Sequence, residues 1–495
     1  MKKKFRNIVV MFVAMLAMNG CTDLDYENYS QINSENFPKT EEDLEASVVG
    51  VYNTLCNSFV MEWMNNAGLI LNELTTDEMN TGWGSTWQQT ERYQWSANNM
   101  VAKTCYVNYQ KGITKATRII DTFEKSNVSD KNKGKYIAEL RALRALYAYL
   151  LYDLVGPVPI VTDASIANDV YADWHPSRPS KEEYVNFLTS ELMASYPQLD
   201  TEVTSDNIGR MTKGAALTLL MKVYLNDKQW QKAADVAKQV MDMNAYSLMP
   251  TYKSIFDISN EGANNKESIF SIGRIMSNQS FSSNYLSCVL PATPTYKCTS
   301  GNQLAIGGGL KMPWTFYDKY EPQDSRLETI VRYYVSTEGD VIDFRTVKHP
   351  KATGAAPMKY SEDPEQAGQL SGNDFILFRL ADVILSRAEA LNELNGPNQE
   401  SIDLINQIRN RANASLISLA DYNTKDKLRD FICDERGREL YCEGHRRTDL
   451  IRFGKLIEKV REKGYPAEDY MTLFPIPQSA IDENPNLKQN SGYEK

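Results

Sequence analysis

The chain has 495 residues, with 54 Lys and Arg against 64 Asp and Glu and a formal net charge of −10. An acidic balance excludes the broad basic footprint that nucleic-acid binding requires. Charged residues at 24% and hydrophobic residues at 42% fit a globular body.

The first residues carry an address. Lys2, Lys3, Lys4 and Arg6 precede eleven apolar residues, Ile8 to Met18, and then Asn19, Gly20 and Cys21. That run is too short for a bilayer span, which needs ~20 residues, and fits the core of a secretory leader. A small residue before a cysteine is what a lipoprotein signal peptidase requires, so 1–20 is read as the leader and Cys21 as the lipidated residue. Met18 and Asn19 depart from the common lipobox. Loss of the leader's four positive charges takes the formal charge from −10 to −14. No Lys/Arg cluster follows Cys21, so the lipid itself is the expected outer-membrane anchor. Residues 21–36 are polar and read as a tether.

From there the pattern is helical, and 37–495 reads as one domain. Thr40 to Leu55 repeats Leu44, Val48, Val51 and Leu55 at helical spacing, with Thr40 and Asp43 placed to cap it. Asn99 to Phe123 and Lys131 to Leu154 follow, the second stopped by Gly156, Pro157 and Pro159. Pro179 to Tyr196 has Ser180 and Glu183 as a capping pair. Gly209 to Ala245 and Phe378 to Ala414 each read as a helix-turn-helix of tetratricopeptide type, with small residues where two helices cross. Between them, 247–375 is rich in Ser, Asn, Gly, Pro and Tyr. Ser268 to Ile272 and Thr329 to Val335 are expected as short strands, and the rest as loop. So long an insertion in a compact body is functional or disordered, and its aromatic content argues for function. The fold class is therefore mainly α: tetratricopeptide-like helix pairs with a loop-rich insertion and a few short strands.

Six cysteines remain after Cys21: Cys56, Cys105, Cys288, Cys298, Cys433 and Cys442. None forms a CxxC pair or has a His at zinc-ligand spacing. An exported protein permits disulfides, and Cys288 with Cys298 is the best local candidate for one.

Sugar recognition needs flat aromatic faces beside polar groups. The segment Asp77 to Trp95 offers Asp77, Asn80, Trp83, Trp87, Gln88, Arg92, Tyr93 and Trp95. Three tryptophans within thirteen polar residues are costly to expose without purpose. Trp83 and Trp87 are the first candidates for stacking, with Asp77, Asn80 and Arg92 for hydroxyls. In the insertion, Phe281, Tyr285 and Tyr296 are further candidates, whereas Trp314 beside Phe316 and Tyr317 reads as structural. The charge run Asp434 to Arg452 spaces its ions three or four apart and reads as a solvated or cross-helix ion network. Gly307-Gly308-Gly309-Leu310-Lys311 lacks the ending and context of a phosphate loop and reads as a flexible loop. No HExxH or GxSxG motif is present, and His175, His349 and His445 are far apart.

Five features together resemble the SusD/RagB family of Bacteroidetes surface lipoproteins. They are the lipobox-like start with Tyr52-Asn53; the run Glu139 to Tyr152 followed by Asp153 to Pro159; Leu380-Ala381-Asp382 with Arg387 to Ala390; Asp434 to Leu440 with Glu443 to Arg447, Asp449, Leu450 and Arg452; and Phe474 to Pro477 with Asn484 to Leu487, Gln489 and Asn490. Arg447-Thr448 stand where an aromatic pair is usual. The resemblance implies four tetratricopeptide-like helix pairs under a loop-built binding face. It implies a non-catalytic protein that captures glycan and hands it to a SusC-like TonB-dependent transporter. Peptide binding for peptide uptake is the alternative within the family, and a protein-binding scaffold is a third reading. No cofactor or metal-ligand set is read, although acidic loops would permit a structural calcium.

Overall fold

The computed structural model describes residues 37–59, 68–128, 132–169, 171–276, 281–349 and 352–493. The expected leader, tether and Cys21 lie outside them. The principal helices are α1 (Glu41–Phe59), α2 (Gly68–Leu74), α3 (Ser85–Glu91), α4 (Met100–Lys125), α5 (Lys133–Val155), α6 (Lys181–Ser195), α7 (Lys213–Asn226), α8 (Trp230–Asp242), α9 (Tyr285–Val289), α10 (Leu380–Asn395), α11 (Gln399–Arg411), α12 (Lys425–Leu440), α13 (Arg446–Arg452) and α14 (Gln478–Glu483). Short strands are β1 (Asn80–Thr81), β2 (Ser268–Ile272), β3 (Leu310–Pro313), β4 (Tyr333–Val335), β5 (Val341–Asp343), β6 (Gly354–Ala355) and β7 (Phe375–Arg379). The molecule is mainly α, as the periodicity predicts.

Local chemistry sets the helix ends. Asp43 N–H donates to Thr40 Oγ1 at 3.2 Å, and Asp43 Oδ2 accepts from Thr40 N–H at 3.1 Å, closing the start of α1. Ser180 and Glu183 do the same for α6. α5 stops at Gly156, whose φ of 75° suits glycine, before Pro157.

Each helix packs on the next: α4 on α5, α5 on α6, α6 on α7, α7 on α8. α8 then packs on α10, although some 140 residues separate them. Ala233, Ala234 and Ala237 of α8 and Ala381 and Ala388 of α10 are fully buried. Arg387 Nη1 reaches across to Ala234 O at 2.6 Å. The two helix-turn-helix units are thus neighbours, and the insertion loops out between them. It leaves through β2 and returns through β7, which pair antiparallel from Ser268↔Arg379 to Ile272↔Phe375. The sequence pattern starts the second helix pair at Phe378. Instead Phe375–Arg379 is extended and buried throughout, because its amide groups pair with β2 and its side chains face core on both sides. Of the strand expected at Thr329 to Val335, only Tyr333–Val335 forms, paired with β5. One connected hydrophobic core runs from Leu44 to Leu487. The six described cysteines are all free thiols, so Cys288 and Cys298, the best local candidates for a bridge, are not joined.

The charge run is the most heavily buried ionic part of the fold. Arg379 is fully buried and all five of its donors are used. Nε donates to Glu443 Oε2 at 2.7 Å, Nη1 to Glu267 Oε1 and Glu439 Oε1 at 2.8 and 2.6 Å, and Nη2 to Glu439 O and Glu443 Oε1 at 2.7 and 2.8 Å. Arg326 binds Asp324, Glu435 and Glu439. Arg411 also reaches Glu267 and Glu439. Lys359 pairs with Glu443 at 2.5 Å. Arg436 joins Asp382 and Asp449, each at 2.7 Å. The network is therefore a core feature, built across elements and not along one solvated face. Arg447-Thr448, the departure from the family pattern, acts as a unit: both side chains donate to the Asp153 carboxylate, at 3.2 and 3.0 Å, while Arg447 covers the Phe474 ring.

Removing one partner of a buried charge set strands the others, at a cost of ~3–5 kcal/mol. Arg379→Lys should not restore the ~3–5 kcal/mol of unfolding free energy that Arg379→Ala removes, because an ammonium has three donors where the guanidinium uses five in a fixed planar fork. Urea unfolding checks this, and a loss below ~1 kcal/mol counts against it.

The pH dependence has two signs. Burial alone would raise the Glu439 carboxyl, but Arg411, Arg379 and Arg326 outweigh it and hold it at about 2. Burial opposes ionisation of Glu435, Asp449 and Asp382 as well, and their Arg and Lys partners hold all three well below the ordinary range. Their contribution is present above the unfolded value of ~4 and is lost as pH falls toward 2. Burial and then Asp374 push Glu261 up to about 8, and burial pushes Asp374 up to about 6. Those two favour the fold at low pH, and their contribution is lost as pH rises through 6 to 8. Stability should therefore peak on the acid side of neutrality and fall steeply below pH ~4. Denaturation midpoints at pH 8, 5.5 and 3 measure both limbs; a flat profile would contradict the assignment.

Candidate functional site

The tryptophan-bearing segment forms a compact module over β3, a strand within the insertion. β1 pairs antiparallel with β3, Asn80↔Lys311 and Thr81↔Leu310, and β3 pairs in turn with β6. Gly82 N–H donates to Gly309 O at 2.6 Å, bringing the chain just before Trp83 onto the glycine loop. The indole of Trp83 lies against Gly309: a Cβ there would sit 1.8 Å from Trp83 Nε1 and 2.0 Å from Cε2. Only glycine allows that approach. Trp87, on α3, faces Trp83 with ring centroids 5.7 Å apart and planes tilted by 56°. Both rings are half-buried, backed by the core on one side.

The module is pinned from below. Thr81 N–H donates to Glu91 Oε2 at 3.2 Å, and Tyr465 O–H to Glu91 Oε1 at 2.8 Å. Lys463 donates to the carbonyls of Thr76 and Met79 at 2.8 and 2.9 Å, and its burial pulls the ammonium down to about 8. Asp77 is fixed between Arg446 at 2.8 and 2.9 Å and Lys319 at 3.1 Å. Burial alone would raise its carboxyl; Arg446 and then Lys319 outweigh that and hold it well below the ordinary range. Under the glycine loop, Ser287 O of α9 accepts from Gly307 and Gly308 N–H at 2.9 and 3.0 Å. The buried Lys311 ammonium donates to the carbonyls of Val289, Gly308 and Leu310 at 2.9 to 3.0 Å.

Of the residues expected at the site, Asn80, Trp83, Trp87 and Arg92 fall together in this module. Asn80 is half-buried on β1, with its side-chain oxygen buried and unpartnered among the described residues. Arg92 is exposed at the end of α3. Asp77 is a correction: its carboxylate is engaged by two cations and positions the loop instead of facing outward. Tyr285 is a second correction. It is 3% exposed and its hydroxyl donates to Pro357 O at 2.7 Å, so the ring has no free face. Tyr296 is 9% exposed, donates to Glu362 Oε1 at 2.9 Å, and lines a separate cavity of about 520 Å³ with Lys253 and Asp257. Phe281 is half-buried near the Ser283↔Ser371 bridge, within the insertion. Trp95 is core, stacked between Tyr93 and Phe474 and donating to Tyr493. Trp314 is half-buried, packed on Tyr317 under Arg345.

The glycine loop is also corrected. Gly309 is the floor on which Trp83 rests, not slack between elements. A run of small residues opposite a tryptophan cluster is the signal for such a close approach. Lys311 is read from the sequence only as the end of a flexible loop, and Lys463 is passed over, because a lone lysine carries no such signal. Among the described residues no group of three or more His, Cys, Asp or Glu could hold a metal ion, and no helix is long and apolar enough to cross a membrane.

Gly309→Ala should expel the Trp83 indole from its seat. In a ¹⁵N spectrum one indole resonance should move strongly while the thermal midpoint changes little. An unchanged indole region would refute the close contact.

Comparison with known proteins gives the same architecture. The SusD family model matches residues 309–493, and a model described as starch-binding associating with outer membrane matches residues 24–225. SusD-like protein P38 of Formosa agariphila is 25% identical over 523 residues, covering 99% of this chain and all of that protein. Starch-binding protein SusD of Bacteroides thetaiotaomicron is 26% identical over 486 residues, covering 85% of this chain and 84% of its own. A solved laminarin binding SusD-like protein superposes with a TM-score of 0.75 at 23% identity, covering 92% of this chain and all of that one. The helix stack, the looped-out insertion and matches along both halves of the sequence lead to one assignment: the chain belongs to the SusD/RagB family.

Proposed function

We propose that this protein captures glycan at the cell surface and passes it to a SusC-like TonB-dependent transporter. The observation that carries the reading is the tilted, half-buried Trp83–Trp87 pair, with Trp83 seated on Gly309. Two rings fixed in this way lose little freedom on binding and offer apolar faces to pyranose rings. Asn80 and Arg92, in the same module, are suited to the hydroxyls. The relatives support the ligand class: one is named for starch and one for laminarin.

The remaining parts of the reading follow from the sequence. The leader 1–20 is removed, Cys21 carries the lipid, 21–36 is the tether, and 37–495 is the binding body at the outer-membrane surface. The role is binding and not hydrolysis. The carboxyl groups near the tryptophans support this: Asp77 is ion-paired, Glu91 is 4% exposed, and Glu73 and Glu78 are buried with their pKa values raised by burial.

Calorimetric titration of the protein against laminarin, starch and a panel of other polysaccharides tests the proposal. One of them should bind, and Trp83→Ala and Trp87→Ala should each weaken it by at least about tenfold, ~1.4 kcal/mol. Binding untouched by both substitutions would remove the platform from the mechanism. Binding of a peptide mixture with no response to any polysaccharide would replace the glycan reading with peptide capture.

A further inference from the structure

A second cleft, of about 880 Å³, shares no residue with the tryptophan module. That volume is of the size that holds a ligand. One side is the exposed flank of α4, where Lys111, Lys115 and Arg118 project at helical spacing. They extend ~10 Å along the helix axis, the length of an oligosaccharide segment and not of a single ion. The cleft is also lined by Trp174 and His175 and by the Glu483–Asn484 corner of α14. These two segments are stitched together. Asn484 Nδ2 donates to Pro176 O at 2.9 Å and Asn486 Nδ2 to His175 O at 2.6 Å. The backbone that carries Trp174 is therefore held, not loose.

The charges of this cleft are unbalanced. In the buried ion network the arginines pair with carboxylates, as at Arg326, Arg379 and Arg436. Among the described residues, none of Lys111, Lys115 and Arg118 forms an ion pair. Lys115 donates to Gly50 O at 2.5 Å and Arg118 to Asn168 Oδ1 at 3.3 Å, both neutral acceptors. Partial burial pulls the Lys115 ammonium below its ordinary value, a penalty that a bound anion would offset. Glu483 is the one carboxylate in the lining. Three uncompensated cations on one flank stand out in a chain of net charge −10.

We propose that this cleft is a second saccharide site, selective for sugars bearing carboxylate or sulfate groups. Lys111, Lys115 and Arg118 take the anionic substituents, and Trp174 supplies the ring face. A polysaccharide with charged units would then be held at two separate points on one protein. The proposal extends the glycan reading but does not depend on Trp83 being the first platform.

The test uses the full chain in detergent, titrated with tetragalacturonate, a chondroitin sulfate tetrasaccharide, a neutral glucan hexasaccharide and tetraglutamate. At least one acidic saccharide should bind. Its affinity should fall at least about tenfold in Lys111→Gln/Arg118→Gln and in Trp174→Ala, and fall with added salt. These side chains are surface groups, and thermal midpoints of the variants confirm that the fold is kept. The uronate and sulfate arms identify the anionic group. Failure of both acidic saccharides to bind overturns the proposal, as does binding indifferent to the substitutions. Tetraglutamate binding that survives Trp174→Ala overturns it in favour of an acidic peptide. If neutral-glucan binding fails in the wild type while the acidic sugar still binds at Trp174, only the earlier platform reading fails.

Discussion

The insertion and the tryptophan module beside it rest on the burial of the Arg379 guanidinium among Glu267, Glu439 and Glu443. These groups come from three stretches of chain. Glu267 precedes β2 where the insertion departs, Arg379 closes β7 where it returns, and Glu439 in the last turn of α12 is followed by Glu443 just beyond it. Arg326 and Lys359, from within the insertion, fasten to the same carboxylates of α12 and its end. An insertion with little regular structure has few backbone ladders to order it. Here buried charge supplies the order, because any arrangement that leaves one of these ions unpaired is strongly disfavoured.

The same chain of contacts extends to the tryptophan module. Arg446 leads α13, immediately beyond the Glu443 corner, and its guanidinium holds Asp77. Gly444 N–H donates to Glu73 at 2.6 Å, tying α2 to that corner. The segment that bears Trp83 and Trp87 is thus anchored on one side to the ion network and on the other to β3. Its rings are placed by rigid neighbours and not by their own loop.

Much of this was legible in the sequence and some was not, for physical reasons. Helix ends were readable because their determinants are local, as with Ser180–Glu183 and Gly156-Pro157. Trp83 and Trp87 were readable because a tryptophan in polar surroundings is an anomaly by itself. β1 and β3 were not, since strands of two and four residues pair across some 230 positions with no periodicity to announce them. Tyr285 was misplaced because tyrosine suits a wet surface and a core equally well, and only its partner, Pro357 O, decides. Asp77 was misjudged for a similar reason: its two cations come from positions 319 and 446. The charges of α12 looked as though they could pair along their own helix, whereas their main partners arrive from distant arginines.

The β2–β7 ribbon has a further consequence. Because Ser268 stands opposite Arg379, the insertion begins and ends at one place, and the helices on either side already touch through α8 and α10. The chain between β2 and β7 therefore leaves and rejoins the helix stack at one place, and is held further out by the β1–β3 pairing and by Arg326 and Lys359. The stack sets where the insertion is joined and not how long it is; what the insertion must supply is the pair of cations, Arg326 and Lys359, that the buried carboxylates of α12 and its end require.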